Sequence, residues 1–337
     1  MTSAKPRGAT ITDVATAAGV SRAAVSKVLR DAYGVSDAMR ERVNAAMEEL
    51  NYRPRIAARA MRGRTFTIGI ELPDLANQFF TRMITGALQE LEGTRFQVVI
   101  APAERGSRHG LRAIEALVDR QVDGVIAVAP RATPEALERI SVHAPLVMFG
   151  RHDTSEAYDT VAGDDEAGAR MAMEHLLHLG HTRIANLTLP EADHDLSSPH
   201  GIRLRTYKAI MEAEGLVAGS RVVHCDEGQD AASEAISRAL ERDWHSTALF
   251  ASHDELAIGA LRAITEARHP ISVIGYDDVP IASHPALGLT TVRQPGAEMG
   301  ATAIRLLMER LDGRTEAVHE VFEPELVVRS STSRPGI

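Results

Sequence analysis

The chain has 337 residues, too many for one ordinary hydrophobic core and enough for two or three domains. No run of about 18 apolar residues occurs, so no membrane span is expected, and a single cysteine, Cys225, excludes an intrachain disulfide. Of the 37 Lys and Arg and 46 Asp and Glu in the chain, residues 1–64 hold 12 and 6, which leaves 25 and 40 for the remainder. A basic head on an acidic body indicates that only the head contacts a polyanion.

The first residues and the cysteine count indicate the cellular compartment of the protein. The start, MTSAKPRGAT, lacks the apolar core of a secretory signal, and a lone cysteine suits a reducing compartment, so we expect a cytoplasmic protein with no membrane partner. We expect no cofactor and no metal site. His194 and His200 share a loop with Asp193 and Asp195, but this arrangement favours a solvated loop over a metal centre.

Residues 12–30, TDVATAAGVSRAAVSKVLR, predict two short helices joined by a tight turn. Thr12 and Asp13 supply cap chemistry for the first helix, Gly19 ends it, and Ser21 caps the second. The outer face of the second helix carries polar and basic side chains, Arg22, Ser26, Lys27 and Arg30. This pattern is typical of a helix-turn-helix, whose second helix enters the major groove of DNA. The alternative is an amphipathic helical hairpin with a solvated basic face.

A third helix is expected over residues 37–50, with Ser36 as its cap. Asn51-Tyr52-Arg53-Pro54 then breaks the chain, because a residue before proline disfavours the helical conformation. The basic segment 55–63 is too short to be a stable helix alone, so it is either a helix that forms conditionally or a plain linker.

From residue 66 onward, apolar runs alternate with amphipathic stretches. The runs predict strands at 67–72, 96–101, 122–129, 146–150, 183–189, 220–225, 247–251 and 271–276. The stretches predict helices near 79–92, 108–120, 134–141, 165–179, 201–214, 230–242 and 254–267. Continuous Val and Ile runs indicate strands covered on both faces, so the fold class is α/β with doubly wound parallel sheets. Two sheets, with a boundary near 160–163, fit better than one, and the cleft between such lobes is the usual place for a small ligand.

The whole chain resembles the lac-repressor (LacI/GalR) family of bacterial transcription regulators. The resemblance rests on segments that occur in order, ITDVATAAGVSRAAVSKVL, VSDAMRERVNAAMEELNYRP, TIGIELPDLANQFF, DDEAGARMAMEHLLHLGHTRIANLT, LFASHDELAIGAL, VIGYDD and LTTVRQP. It implies a helix-turn-helix headpiece joined to a core like a periplasmic binding protein. The implied divisions are a headpiece 1–54, a hinge helix 55–64, an N-terminal lobe 65–162 with about 291–322, and a C-terminal lobe 163–290 with about 323–332.

The resemblance also implies which residues contact DNA. The positions that the family uses to read bases fall on Arg22, Ala23 and Lys27. Phosphate contacts fall on Thr10, Ser21, Ser26, Ser36 and Tyr52, although Ser21 and Ser36 are also helix caps, and that role alone could explain them. In the hinge, the residues expected at the DNA are Arg55, Ala58 and Met61, with Met61 as an apolar wedge in the minor groove.

An effector site between the lobes is implied as well. Its expected residues are Asn77, Phe79, Phe80, Arg151, Arg203, His253, Asp254 and Asp277. A guanidinium among carboxylates suits the vicinal hydroxyls of a sugar, or a carboxylate or purine edge. For the two phenylalanines, core packing competes with stacking on a sugar ring. Asp254 could cap the following helix as well as face the ligand.

We therefore expect a repressor whose affinity for a pseudo-palindromic operator is controlled by a small molecule, a sugar or sugar derivative. No heptad tail follows the last strand, so a homodimer is expected. The alternatives are a corepressor-dependent regulator that responds to a nucleobase or other metabolite, and a solute-binding protein, which would need an export signal. An enzyme is not expected, since no G-x-G-x-x-G, phosphate loop or nucleophile–base spacing occurs.

Overall fold

A computed structural model describes residues 9–29, 33–52, 64–103, 110–190, 195 and 197–336. The chain divides into two compact units, residues 1–65 and residues 66–337. Residues 55–63 of the expected hinge, with Arg55, Ala58 and Met61, lie outside the described residues, and so does Arg30. The roles assigned to these four side chains stay predictions.

In its described residues, the first unit contains three helices, α1 (Ile11–Ala17), α2 (Arg22–Leu29) and α3 (Asp37–Glu49). They share a small core of buried residues, Val14, Ala15, Ala18, Val25, Val28, Val43 and Ala46. Gly19 lies in the turn between α1 and α2 with φ +65°, a left-handed conformation that favours glycine. The predicted helix–turn–helix is therefore present in the structure.

The cap of α1 differs from the one expected. Thr10, not Thr12, is the N-cap: its hydroxyl accepts from the Asp13 backbone N–H at 3.4 Å, and the Asp13 carboxylate accepts from the Thr10 backbone N–H at 2.8 Å. This reciprocal pair is a capping box, which satisfies two backbone donors at the start of the helix. The helix begins at Ile11, about one turn before its first buried residue, Val14. The apolar pattern alone therefore predicted the N-cap two residues too late.

Twelve strands and eight α-helices are found among the described residues of the second unit. The strands are β1 (Thr67–Leu72), β2 (Gln97–Pro102), β3 (Gly124–Val128), β4 (Leu146–Phe149), β5 (Asp159–Gly163), β6 (Ile184–Thr188), β7 (Arg221–His224), β8 (Ala248–Ala251), β9 (Ser272–Asp277), β10 (Thr290–Arg293), β11 (His319–Phe322) and β12 (Glu325–Val327). The helices are α4 (Gln78–Glu90), α5 (Leu111–Asp119), α6 (Pro134–Ser141), α7 (Asp165–His178), α8 (Pro199–Ala213), α9 (Gln229–Leu240), α10 (Asp254–Glu266) and α11 (Gly296–Leu311). Within the described part of the chain, no helix is both long and apolar enough to cross a membrane.

The strands form two six-stranded sheets, one in each lobe. The first has the order β11–β5–β4–β3–β1–β2 and the second the order β12–β10–β9–β8–β6–β7. All neighbours run parallel except β12, which pairs antiparallel with β10. The strands at the centre of each sheet, such as β3 and β8, are buried along their whole length, as expected for sheets covered by helices on both faces. The fold class predicted from the sequence is confirmed.

The chain crosses between the lobes three times, after β5, after β10 and after β11. The first crossing follows Gly163 and the second follows Arg293, so the sheets divide one and three residues later than the sequence-based boundaries of 162 and 290. Three parallel crossings tie the lobes together at one edge and place the carboxyl ends of the strands of both sheets around the space between them.

Helices α4 and α11 approach each other closely because glycines lie in their contact. A Cβ on Gly86 of α4 would overlap the backbone carbonyl of Ala297 in α11. A Cβ on Gly300 of α11 would overlap the backbone carbonyl of Met83 in α4. Glycine in a helix interior costs about 1 kcal/mol relative to alanine, and here it permits backbone contact that alanine would block.

One carboxyl group is buried inside the first sheet. Glu71 of β1 is 1 % exposed, and its Oε2 accepts from the Val128 backbone N–H at 3.0 Å. Burial raises the pKa of Glu71 from 4.5 to about 7, and the hydrogen bond from Val128 only partly offsets this. The folded state therefore binds the proton more tightly than the unfolded chain does.

This burial predicts a pH-dependent stability that Glu71→Gln removes. Because the folded-state pKa is raised, the carboxyl group costs no stability below pH 4.5 and lowers it as the pH rises toward 7, by up to about 3 kcal/mol. Glutamine stays neutral and keeps an oxygen for the Val128 N–H. Urea unfolding should give similar stabilities for the variant and the wild type at pH 4.5 and a more stable variant at pH 8. The exposed Glu90→Gln serves as control, and the same gain in both variants at pH 8 would contradict the assignment.

Candidate functional sites

Helix α2 presents one polar face and one buried face. Arg22, Ala23 and Lys27 are exposed, whereas Val25 and Val28 are buried in the three-helix core. Ser26 is half-buried. The buried valines fix the rotation of the helix, so the two exposed cations and Ala23 are held on the side that faces away from the core.

Three of the expected phosphate contacts also serve as helix caps. Ser21 Oγ accepts from the Ala24 backbone N–H at 3.1 Å, and Ser36 Oγ accepts from the Met39 backbone N–H at 3.3 Å. Thr10 completes the capping box of α1. Tyr52 is half-buried and packs against the core of the first unit. These roles account for the residues locally, and their contacts with phosphate stay predictions.

In the second unit, a buried arginine lies at the strand ends of the second sheet. Arg203, in the first turns of α8, bonds to Asp165 Oδ1 through Nε at 2.8 Å and Nη2 at 2.7 Å. Its Nη1 donates to the backbone carbonyl of Ser252, and the guanidinium lies 3.5 Å from the centre of the Tyr276 ring. Two nitrogens bonded to one carboxylate oxygen, together with the stacking on an aromatic ring, hold the guanidinium in one orientation.

The charges in this pair depend on each other. Burial disfavours the charged form of both groups, but the Asp165 carboxylate raises the pKa of Arg203, and Arg203 with His152 lowers the pKa of Asp165. Both side chains are almost completely buried. A buried pair of this kind is stable only while both partners are present.

Asp165 also connects the two lobes. His152, in the loop after β4 of the first lobe, places Nε2 2.8 Å from Asp165 Oδ2 in the second lobe. A second connection is made by Arg82 of α4, whose Nη1 donates to the backbone carbonyl of Asp278 at 2.7 Å. A ligand that displaced either contact would change how the lobes are held together.

Two aspartates at this edge have different roles. Asp277, at the end of β9, accepts from Gln294 Nε2 at 2.8 Å, and burial raises the pKa of Asp277 to about 6 despite nearby Arg203 and His253. Asp254 is fully buried, and its oxygens accept from the Thr291 hydroxyl at 2.6 Å and the Val279 backbone N–H at 2.8 Å. Burial, together with Asp277, raises the pKa of Asp254 well above its usual value. Asp254 therefore braces the loop after β9.

His253 lies beside a second histidine and a glutamate. Its Nε2 is 3.1 Å from Glu227 Oε1, and its ring centre is 5.4 Å from that of His200. Although burial opposes the charged form, the Glu227 carboxylate raises the pKa of His253. Burial, assisted by His253, lowers the pKa of His200 to about 3, so this imidazole is neutral.

The residues expected from the first lobe make mainly structural contacts. Asn77 caps α4 by accepting from the Phe79 backbone N–H at 3.0 Å. Phe79 is buried and lies 6.0 Å from Phe149, centre to centre, while Phe80 is half-buried beside it. Arg151 is bound by Asp153 and by two backbone carbonyls, of Pro130 and Ala132. Contacts of these four with an effector stay predictions.

The structure thus groups Arg203, His253 and Asp277 and adds polar neighbours that were not expected at the effector site. These neighbours are His152, Asp165, His200, Glu227, Tyr276 and Gln294. All of them except Tyr276, which lies within β9, follow a strand end or begin a helix, and this position is the signal that could have suggested them. The expectation for His200 was wrong: it lies in the first turn of α8 beside His253 and not in a solvated loop. Nothing in the sequence pairs residues as distant as Asp165 and Arg203, because that pairing depends on the order of strands in the sheet.

Comparisons with known proteins agree with this architecture. Residues 10–55 match the model of bacterial regulatory proteins of the lacI family, and residues 173–332 match a periplasmic binding protein-like domain. The chain is 33% identical over 335 residues to the HTH-type transcriptional regulator DegA of Bacillus subtilis, covering 96% of this chain and 98% of that protein. It is 31% identical over 312 residues to the ribose operon repressor of Escherichia coli, covering 90% and 93%.

The chain is also similar in three dimensions to a solved structure. The lac repressor dimer bound to operator and the anti-inducer ONPF matches with a TM-score of 0.78 and 28% identity, covering 97% of this chain and 100% of the other. The similarity therefore spans the headpiece and the two-lobed core in one continuous alignment. This chain belongs to the LacI family of bacterial regulatory proteins, and it is a DNA-binding transcriptional regulator.

Proposed function

We propose that this chain is a homodimeric repressor that binds a pseudo-palindromic operator and loses affinity for it when a sugar binds between the lobes. The role is regulatory rather than catalytic, and it places the protein in the cytoplasm, where a bacterial chromosome lies. The observation that carries the DNA-binding part is helix α2, whose buried valines hold Arg22, Ala23 and Lys27 outward. A guanidinium in this position suits the O6 and N7 atoms of guanine in the major groove.

The sugar is supported by the buried group around Arg203. A guanidinium flanked by the carboxylates of Asp165 and Asp277 combines hydrogen-bond donors and acceptors, a chemistry that suits vicinal hydroxyls. The similar Escherichia coli protein is named for the ribose operon, which supports a monosaccharide as the first ligand to test. Because His152 and Arg82 bridge the lobes beside this group, a ligand there can alter the lobe arrangement.

The homodimer is supported by an exposed edge of the first sheet. Strand β2 lies at that edge, and its Val99 and Ile100 are each 41% exposed. An open strand edge offers unpaired backbone groups to another chain, and exposed apolar side chains on that strand favour such a contact. The similar lac repressor was solved as a dimer on its operator, which supports the same assembly here.

Arg22→Ala tests the reading role of α2. Loss of a forked contact to guanine should weaken binding to the operator by about 1–3 kcal/mol and leave binding to random duplex nearly unchanged. Fluorescence anisotropy with a promoter fragment and a scrambled duplex, at one fixed salt concentration, measures both affinities. Adding ribose and related monosaccharides to the same assay should release the promoter fragment.

The control is Arg42→Ala, which removes one exposed cation from α3 in the same unit. It should not change the ratio of the two affinities, because a general positive charge carries no sequence information. Equal losses on both duplexes for Arg22→Ala would contradict base reading. Tighter promoter binding on adding the sugar would instead indicate a corepressor.

A further inference from the structure

Three potential metal ligands lie together at the strand ends of the second sheet. His200 is in the first turn of α8, Glu227 follows β7, and His253 follows β8. One ligand atom from each lies within 4.8 Å of the other two. Among the described residues, no other group of three His, Cys, Asp or Glu side chains meets this condition.

The distances suit a tetrahedral ion. Zinc binds histidine nitrogen and carboxylate oxygen at about 2.0–2.2 Å, which sets neighbouring ligand atoms about 3.3 Å apart. His253 Nε2 and Glu227 Oε1 are 3.1 Å apart, so two of the three ligands already have this separation. A nitrogen of His200 lies within 4.8 Å of both, which makes it the third candidate ligand.

Buried nitrogens in this group lack the partners that such atoms normally have. Nδ1 of His200 and Nε2 of His253 are buried, and neither makes a hydrogen bond to the described residues. Most buried polar atoms in proteins are hydrogen-bonded, so two exceptions on adjacent rings call for a ligand. A metal ion accepts an imidazole nitrogen directly and satisfies it without a proton.

The local charge also favours a cation. Three carboxylates, those of Asp165, Glu227 and Asp277, surround this edge of the sheet, against the single guanidinium of Arg203. The charge of Arg203 is neutralised by its ion pair with Asp165. The remaining carboxylates leave an excess of negative charge beside the two imidazoles, which attracts a positive ion.

We propose that His200, Glu227 and His253 bind one divalent transition-metal ion of the zinc class. Two imidazoles and one carboxylate leave a fourth coordination position open, as in metal sites that bind an exogenous oxygen. That position lies beside Arg203, where an oxygen of the effector completes the coordination. The statement about the effector rests on the proposed function, whereas the metal site itself does not.

The test uses the full-length protein, stripped with EDTA, dialysed and titrated with cobalt(II) chloride. Four-coordinate cobalt gives strong visible absorption, so we expect a visible band that saturates at one equivalent per chain. Zinc should then abolish the band, since it binds such sites more tightly than cobalt. His253→Ala and Glu227→Gln should each weaken cobalt binding about 100-fold.

His245→Ala is the matched control, because His245 is exposed on another surface and pairs with Asp243. It should keep the band and the affinity of the wild type. Circular dichroism checks that each variant is folded, and Glu227→Gln keeps the side-chain shape if the histidine variants fail that check. Absence of the band in the wild type, or an equal affinity in the His245 and His253 variants, overturns the proposal. A protein that still binds its promoter while failing this titration retains the proposed function and loses only the metal site.

Discussion

Replacing Arg203 by alanine is expected to abolish the response to the effector and to lower the free energy of unfolding of the core by about 3–5 kcal/mol. The stability loss arises because Asp165 would stay buried with no guanidinium beside it. The response is lost because the guanidinium, held in one orientation by Asp165 and by the Ser252 carbonyl, is the proposed donor to ligand oxygens. Urea unfolding and promoter binding with and without sugar measure the two effects.

A double variant separates these effects. Asp165→Asn combined with Arg203→Met removes both charges, so it should recover much of the stability and still fail to respond to the sugar. Arg238→Ala is the control, because Arg238 forms an exposed pair with Glu234 in α9 and should cost no more than about 0.5 kcal/mol. A normal sugar response in the folded double variant would remove Arg203 from the effector site.

Gly86→Ala is expected to destabilise the core by about 3 kcal/mol, although alanine favours a helix more than glycine does. The added methyl group would overlap the Ala297 carbonyl, and a backbone atom cannot move aside as a flexible side chain can. The helices α4 and α11 would have to separate along their shared contact. Gly86→Ala is therefore expected to lower the free energy of unfolding, whereas helix propensity alone would raise it.

Thr85→Ala is the matched control for this variant, since Thr85 is the neighbouring residue on the exposed face of α4. It should leave the stability unchanged or raise it slightly. Chemical unfolding of both variants gives the comparison. A Gly86→Ala protein as stable as Thr85→Ala would show that the two helices have room that the structure does not indicate.

The strongly patterned elements of the fold could be predicted from the sequence, and those with buried charge could not. Eight strands were expected from their Val and Ile runs, but β5 begins with Asp159, which breaks such a run. In the folded protein this carboxylate is fully buried and accepts from Arg310 and Arg314. A partner about 150 residues away cannot be inferred from local periodicity.

Helix α11 was not expected either. Its segment, GAEMGATAIRLLMERL, has glycine at its first and fifth positions, Gly296 and Gly300, and these glycines lower its helix propensity. Gly300 is present because α4 lies against it, which is a tertiary reason. The local sequence therefore disfavours a helix here, whereas packing against α4 stabilises one, and the packing outweighs the local preference.

For the candidate site, single residues were easier to anticipate than their pairing. The family resemblance pointed to Arg203, His253 and Asp277, which the structure brings to one edge of the second sheet. Phe79 and Asp254 sit in the expected segments, but the structure gives them packing and bracing contacts. The type of residue suggests the chemistry, whereas its contacts depend on neighbours from other strands.

The position of α11 and β11 in the first lobe has a consequence for synthesis on the ribosome. Strands β1 to β5 are complete at residue 163, yet the helix packed against α4 and the strand that pairs with β5 come from residues 296–322. The ribosome must therefore synthesise residues 164–295, which hold most of the second lobe, while the first lobe still shows uncovered apolar surface. Such an interval invites aggregation and chaperone capture, so the late helix sets the moment at which the first lobe can mature.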